Sequence, residues 1–133
     1  MAFDYGTRRI GVAVGQSVSR TATALRVVVA KAGQPQWREM TKLIDEWLPE
    51  LFVVGYPTYE DGSRHPLSDE IERFSRRLSG RYSRPVEFAD ERLSSFEASS
   101  DGAAQERGLD AAAARVILLS WFDQAFSQKS LAN

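Results

Sequence analysis

The sequence predicts an α/β domain with one five-stranded mixed sheet and helices on both faces. Three observations lead there. Residues 1 to 30 alternate apolar with small or polar positions in the period of strands, residues 37 to 89 switch between helical and strand patterns, and an alanine-rich apolar stretch of helical length comes last. With 133 residues and no linker-like or repeated segment, the whole chain, 1–133, reads as a single domain large enough for one core.

Met1-Ala2-Phe3-Asp4-Tyr5 is the first strand, closed by a Gly6-Thr7 turn. Ile10, Val12 and Val14, alternating with Gly11, Ala13 and Gly15, form the second, and Leu25 to Val29 the third. Short connections make these an antiparallel meander, and the small residues at 11, 13 and 15 imply that another element packs closely on that face. Trp37, Met40, Leu43, Ile44, Trp47 and Leu48 recur at helical spacing between charged residues, giving an amphipathic helix that Pro49 ends. Leu51 to Gly55 is an unbroken apolar run, as in a strand covered on both faces. After a loop from Tyr56 to Arg64, Leu67, Ile71, Phe74 and Leu78 mark a second amphipathic helix, and Val86 to Ala89 a fifth strand. Ser94 to Ser100 fits a short helix in which Ser94 and Glu97 match a capping box. Asp110 is the expected cap of the last helix, Ala111 to Phe126, which is apolar on nearly all sides up to Trp121 and so expected to be largely buried. Trp37, Trp47, Trp121 and Phe122 sit at core spacing, and His65 is expected exposed in its loop.

Composition removes several chemistries. Without cysteine, and with His65 as the only histidine, thiol catalysis, thiolate-bound zinc and multi-histidine metal sites are excluded. A catalytic metal would have to sit on oxygen ligands, which suits Mg²⁺ or Mn²⁺. No apolar run approaches the ~20 residues of a membrane span and no signal-peptide pattern opens the chain, so a cytoplasmic protein with no membrane partner is expected. The 17 Lys and Arg against 18 Asp and Glu give a net charge of -1, and so no wholesale electrostatic grip on nucleic acid.

Three antiparallel strands, then helix, strand, helix, strand, helix, is the order of an RNase H-like domain, with sheet order 3-2-1-4-5 and strand 1 central. Ligands of such open sheets bind beyond the carboxyl ends of the parallel strands, near the switch in strand order. Asp4 ends the central strand at that point. A carboxylate between Phe3 and Tyr5 is costly unless a cation, a backbone donor or an arginine compensates it. Asp90-Glu91 at the end of the fifth strand and Asp110 at the start of the last helix could converge with it on one or two Mg²⁺ ions. Helix capping by Asp110 and a solvated strand end at Asp90-Glu91-Arg92 are the plainer readings.

Four segments carry a resemblance: Phe3 to Ala13 (FDYGTRRIGVA), Val54-Gly55-Tyr56-Pro57 with Asp61-Gly62 downstream, Asp90 to Ser95 (DERLSS), and Leu109-Asp110 with Ala113. In this order they resemble the successive motifs of the YqgF/RuvX family, described as Holliday-junction-resolvase-like and linked to cleavage of pre-16S rRNA. The resemblance spans essentially the whole chain, and its first and third motifs are the specific ones. It implies an RNase H-like fold and a divalent-metal-dependent nuclease of the bacterial cytoplasm. Its substrate would be structured RNA, such as the 5′ end of pre-16S rRNA in ribosome biogenesis, or branched DNA, and the protein a monomer or weak homodimer. The acidic positions carry over onto Asp4, Glu91 with Asp90, and Asp110, with Asp4, Glu91 and Asp110 as metal ligands. Strand alternation separates Val86, Phe88 and Asp90 from Glu87, Ala89 and Glu91, provided the strand extends that far; Glu91 is the favoured ligand. Gly55, Pro57 and Gly62 would lie in a loop near substrate. The stretch before the fourth motif, Asp101 to Leu109, is short and lysine-free compared with the family.

Phosphate contacts would fall to arginine, which supplies 14 of the 17 cations. Arg8 and Arg9 lie in the turn after Asp4, and Arg92 follows Glu91. Arg73, Arg76, Arg77, Arg81 and Arg84 share one flank of the second helix, where Asp69 can neutralise Arg73 and Glu72 can neutralise Arg76 at i,i+4 spacing. Arg77, Arg81 and Arg84 lack such partners and are the expected phosphate contacts. Two rivals belong to other classes: a phosphotransferase of the actin and sugar-kinase type, for which 133 residues leave no second lobe, and a nuclease-like domain that binds nucleic acid or ribosomal precursors without cutting.

Overall fold

The computed structural model describes residues 1–93 and 107–132. Its elements are β1 (Ala2–Asp4), β2 (Arg9–Gln16), β3 (Thr21–Lys31), β4 (Gln34–Pro35), α1 (Trp37–Trp47), β5 (Phe52–Tyr59), α2 (Ser68–Tyr82), β6 (Val86–Leu93) and α3 (Arg107–Ala132). The sheet order is β4-β3-β2-β1-β5-β6. β1 pairs antiparallel with β2 and parallel with β5, which pairs parallel with β6, so the predicted five-strand order stands. The sixth strand is β4, two residues long and paired with the end of β3; its Pro35 sits at the sheet edge, where a missing N–H costs no ladder bond.

One face of the sheet carries α1 and α2. Phe3, Tyr5, Ile10, Val12, Val28, Phe52 and Val54 point there and bury against Met40, Leu43 and Ile44 of α1 and Ile71, Phe74 and Leu78 of α2. Phe3 meets Phe52 at 5.7 Å and Phe74 edge-on at 5.6 Å, the contact geometry that aromatic rings prefer. The other face carries α3, whose Ile117, Leu118 and Phe122 cover Ala2, Val53 and Ala89. The small residues of β2 allow this close approach. A Cβ on Gly11 would fall 1.9 Å from the Asp110 carbonyl oxygen, and one on Gly15 would fall 2.8 Å from Leu118 Cδ2.

Several expectations are corrected. α3 starts at Arg107, so Asp110 lies in its first turn rather than at its cap. The helix α3 is buried on its sheet side only, because Ala112, Arg115, Val116 and Asp123 form a solvent stripe beside the alanines that pack on the sheet. β5 and β6 each run four residues beyond the predicted end, because they continue as a parallel pair through Tyr59 and Leu93. Gly55 and Pro57 are therefore strand residues, not loop residues. Trp47 is 44% exposed at the end of α1, where the helix has already turned off the core. His65 is only half exposed, since its Nδ1 accepts the Leu67 N–H at the entry to α2. The helix expected at Ser94 to Ser100, with its Ser94 and Glu97 capping box, lies outside the described residues. Among the described residues no helix is long and apolar enough to cross a membrane.

Candidate active site

Asp4 is the last residue of β1, and alternation turns it to the α3 face while Phe3 and Tyr5 enter the aromatic core. Its cross-strand neighbour on β2 is Gly11. On the other side, the β1–β5 register pairs Phe3 with Val54, so Gly55 flanks Asp4. Asp4 is thus bordered by two residues without side chains, and each gap is used. The first turn of α3 sits over Gly11 and brings in Asp110, while Glu91 of β6 leans over Gly55, whose Cβ would lie 3.1 Å from Glu91 Oε1 and 2.7 Å from Ile117 Cδ1.

The continuation of β6 to Leu93 settles which acid of the Asp90-Glu91 pair faces inward. Glu87, Ala89 and Glu91 share the α3 face, where Glu87 Oε1 accepts the Trp121 indole N–H and Ala89 is buried under α3. Asp90, expected in the catalytic set, is exposed on the other side and is not brought into the cluster; its charge raises Glu91.

Electrostatics mark this cluster as the unbalanced part of the described structure. Burial first, then the charges of Glu91 and Asp110, push the Asp4 carboxyl up from 3.8 to about 7. Burial and the Asp90 charge raise Glu91. Burial also raises Asp110, against the pull of Arg9, whose Nε stands 3.5 Å from Oδ2. That Oδ2 is buried and has no hydrogen-bond partner. Among the described residues three inward carboxylates thus face one guanidinium, a negative balance that a cation would relieve. Hard oxygen donors with no sulfur or imidazole suit Mg²⁺ or Mn²⁺. Among the described residues no three acidic or histidine side chains stand in ligating geometry.

The arginines divide by position. Arg9 is part of the cluster, and Arg8 is exposed in the loop between β1 and β2 at the same end of the sheet. Arg92 pairs through its backbone with Thr58. α2 runs back from the carboxyl end of β5, so its last residues lie at the opposite end of the sheet; there Pro85 O accepts the N–H of Phe52, the first residue of β5. Arg81 stacks over Trp37 at 4.1 Å, and Arg84 adjoins Pro85. The structure does not bring these two to the acidic cluster. Arg64 also departs from expectation: its Nη2 binds Asp69 Oδ1 at 2.7 Å and Glu72 Oε2 at 2.8 Å, occupying the two carboxylates expected to neutralise Arg73 and Arg76. Gly62 sits in the tight turn before Arg64, with φ 85° and its N–H on Tyr59 O.

Sequence reasoning did not single out Arg64 or the Thr58 hydroxyl, which donates to the Glu91 carbonyl at 3.4 Å. The Gly55 position was legible as a family motif, but its reason, room for Glu91 and Ile117, was not.

The profile of the RuvX family, described as Holliday junction resolvase, matches residues 1–124. A protein of Hydrogenovibrio crunogenus named "Putative pre-16S rRNA nuclease" is 42% identical over 123 residues, covering 92% of each chain. Proteins of the same name from Yersinia pestis and Yersinia pseudotuberculosis are 45% identical over 131 residues, covering 93% of this chain and 94% of theirs. With its RNase H-like sheet and acidic cluster at the end of the central strand, this chain belongs to the RuvX family.

Proposed function

We propose that this protein is a nuclease that hydrolyses phosphodiester bonds with a divalent cation, Mg²⁺ or Mn²⁺, and that its substrate is the 5′ region of pre-16S rRNA. The observation that carries the reading is the inward-facing trio Asp4, Glu91 and Asp110 at the carboxyl end of the central strand, opposed among the described residues by Arg9. The name shared by relatives 42–45% identical points the same way. The family description favours a second reading, cleavage of four-way DNA junctions by the same site.

Asp4, Glu91 and Asp110 are the residues that would hold the ion. When bound, it supplies charge for the phosphate oxygens and lowers the pKa of an attacking water. The chain's own groups do the rest. Arg9 holds Asp110 toward the cluster. The first turn of α3, where helix dipoles leave positive charge, carries Asp110 over Gly11 at this site. Gly11 makes room for the first turn of α3, and Gly55 for Glu91 and Ile117. Arg8 stands at the rim for the flanking backbone.

The test is cleavage of a 5′-labelled pre-16S rRNA leader and of a synthetic four-way junction, each with Mg²⁺, with Mn²⁺ and with chelator. Metal-dependent cutting of the RNA supports the proposal, cutting of the junction alone supports the second reading, and cutting of neither overturns both.

A further inference from the structure

Across β1 from the acidic cluster lies a second polar feature at the same end of the sheet. Tyr5 follows Asp4 in the chain and turns to the α2 face, where its hydroxyl donates to Gly33 O at 2.8 Å. Gly33 has a φ of 81°, its N–H binds Thr7 O, and a Cβ there would fall 2.7 Å from the Tyr5 oxygen. These contacts fix the wall of a pocket of about 40 Å³ lined by Tyr5, Ala32, Gly33, Gln34, Glu70, Arg73 and Arg77. At roughly 10–15 Å³ per water, that holds about three waters, or one small tetrahedral anion in their place.

The cations of this pocket are uncommitted. Arg64 holds Asp69 and Glu72, the acids one helical turn before Arg73 and Arg76. Among the described residues neither Arg73 nor Arg77 makes a hydrogen bond or an ion pair. The two stand four residues apart on α2, where like charges face and repel each other. Against them stands one carboxylate, Glu70, so the pocket carries a single net positive charge, which one phosphodiester would neutralise. Burial and Glu70 push the Tyr5 hydroxyl up, with Arg77 and Arg73 pulling it down, so it stays a donor to Gly33.

We infer that Arg73 and Arg77 form a phosphate subsite for the substrate strand, separate from the cleavage centre and reached by a strand that crosses the end of β1. It takes the backbone and not the base, so it holds register without reading sequence. This assigns a contact to Arg73, which i,i+4 pairing with Asp69 would have silenced, and it takes the role from Arg81 and Arg84. α2 is about 22 Å long at 1.5 Å per residue; Arg81 lies at its far end, and Arg84, expected on its flank, lies beyond it because the helix ends at Tyr82.

The inference rests on the nuclease reading for its substrate, and binding separates the two. In the Asp4→Asn background, which prevents cleavage, affinity for a labelled pre-16S rRNA leader and for an unrelated RNA of equal length is measured across KCl concentrations. The Arg73→Gln/Arg77→Gln pair is expected to weaken both RNAs equally, by roughly tenfold, and to lower the slope of log affinity on log salt by about one. Arg84→Gln, at the other end of α2, should leave the slope unchanged. Glu70→Gln, which removes the pocket's carboxylate, should tighten binding severalfold. An unchanged slope in the double variant, a loss equalled by Arg84→Gln, or no gain from Glu70→Gln overturns the subsite. Binding without cleavage by the protein with Asp4 intact overturns the nuclease reading and leaves the subsite standing; no binding at all overturns both.

Discussion

On one face of the sheet, Phe3, Phe52 and Phe74 interlock beneath two helices, with no Asp, Glu, Lys, Arg or His among the buried residues of that core. On the other, α3 rests on alanine and glycine, and the space left over holds Asp4, Glu91 and Asp110. β1 serves both within three residues: Ala2 and Asp4 face the thin side, Phe3 the thick one. The comparison teaches that the fold is stabilised mainly by the aromatic face. The opposite face can therefore carry three unfavourable charges close together, at the end of a strand held in place from behind.

This division can be broken from either side. Phe74→Ala empties the centre of the aromatic face and should cost about 3–5 kcal/mol in denaturant unfolding, while cleavage per folded molecule stays close to the parent value. The acidic face should show itself through pH. A carboxyl raised in the folded state binds its proton more tightly there than in the unfolded chain. The cation-free protein should therefore lose stability as pH rises from about 4 toward 7, by at most about 4 kcal/mol from Asp4 alone. Urea midpoints for the parent and Asp4→Asn in chelator, at both ends of that range, isolate this loss; adding Mn²⁺ at neutral pH should restore it. Gly11→Ala sets a Cβ against the Asp110 carbonyl and must displace the start of α3. Roughly a 100-fold fall in cleavage is expected, with about 1–3 kcal/mol of stability, read by single-turnover rate and thermal melting. Arg81→Gln loses only the stack on Trp37 and should cost no more than about 1 kcal/mol, with no change in rate.

Much of the thick face was legible in the sequence, because alternation in β2 and the spacing of Met40, Leu43, Ile44, Ile71, Phe74 and Leu78 are set by burial. The small residues of β2 announced close packing, and Asp4 stood out as a charge between two aromatic residues. What could not be read depended on partners distant in the chain. β6 extends through Asp90 and Glu91 because β5 continues beside it, and that pairing turns Glu91 inward. The helical spacing of Trp47 looked like core spacing, but it lies where α1 leaves the sheet. The arginines of α2 shared a helical flank in sequence; only the direction of the helix shows which end lies near the acidic cluster, and only Arg64 shows which carboxylates are already taken.

In the proposed function Asp4 organises a cation-dependent cleavage centre and is not needed to hold the fold. Single-turnover cleavage of the labelled pre-16S rRNA leader in Mn²⁺, by the parent protein and by Asp4→Asn of verified fold, tests it most directly. The account predicts a rate at least about 10²–10³-fold lower in the variant, with thermal stability in chelator equal to or above that of the parent. Cleavage by Asp4→Asn at the parent rate would contradict it.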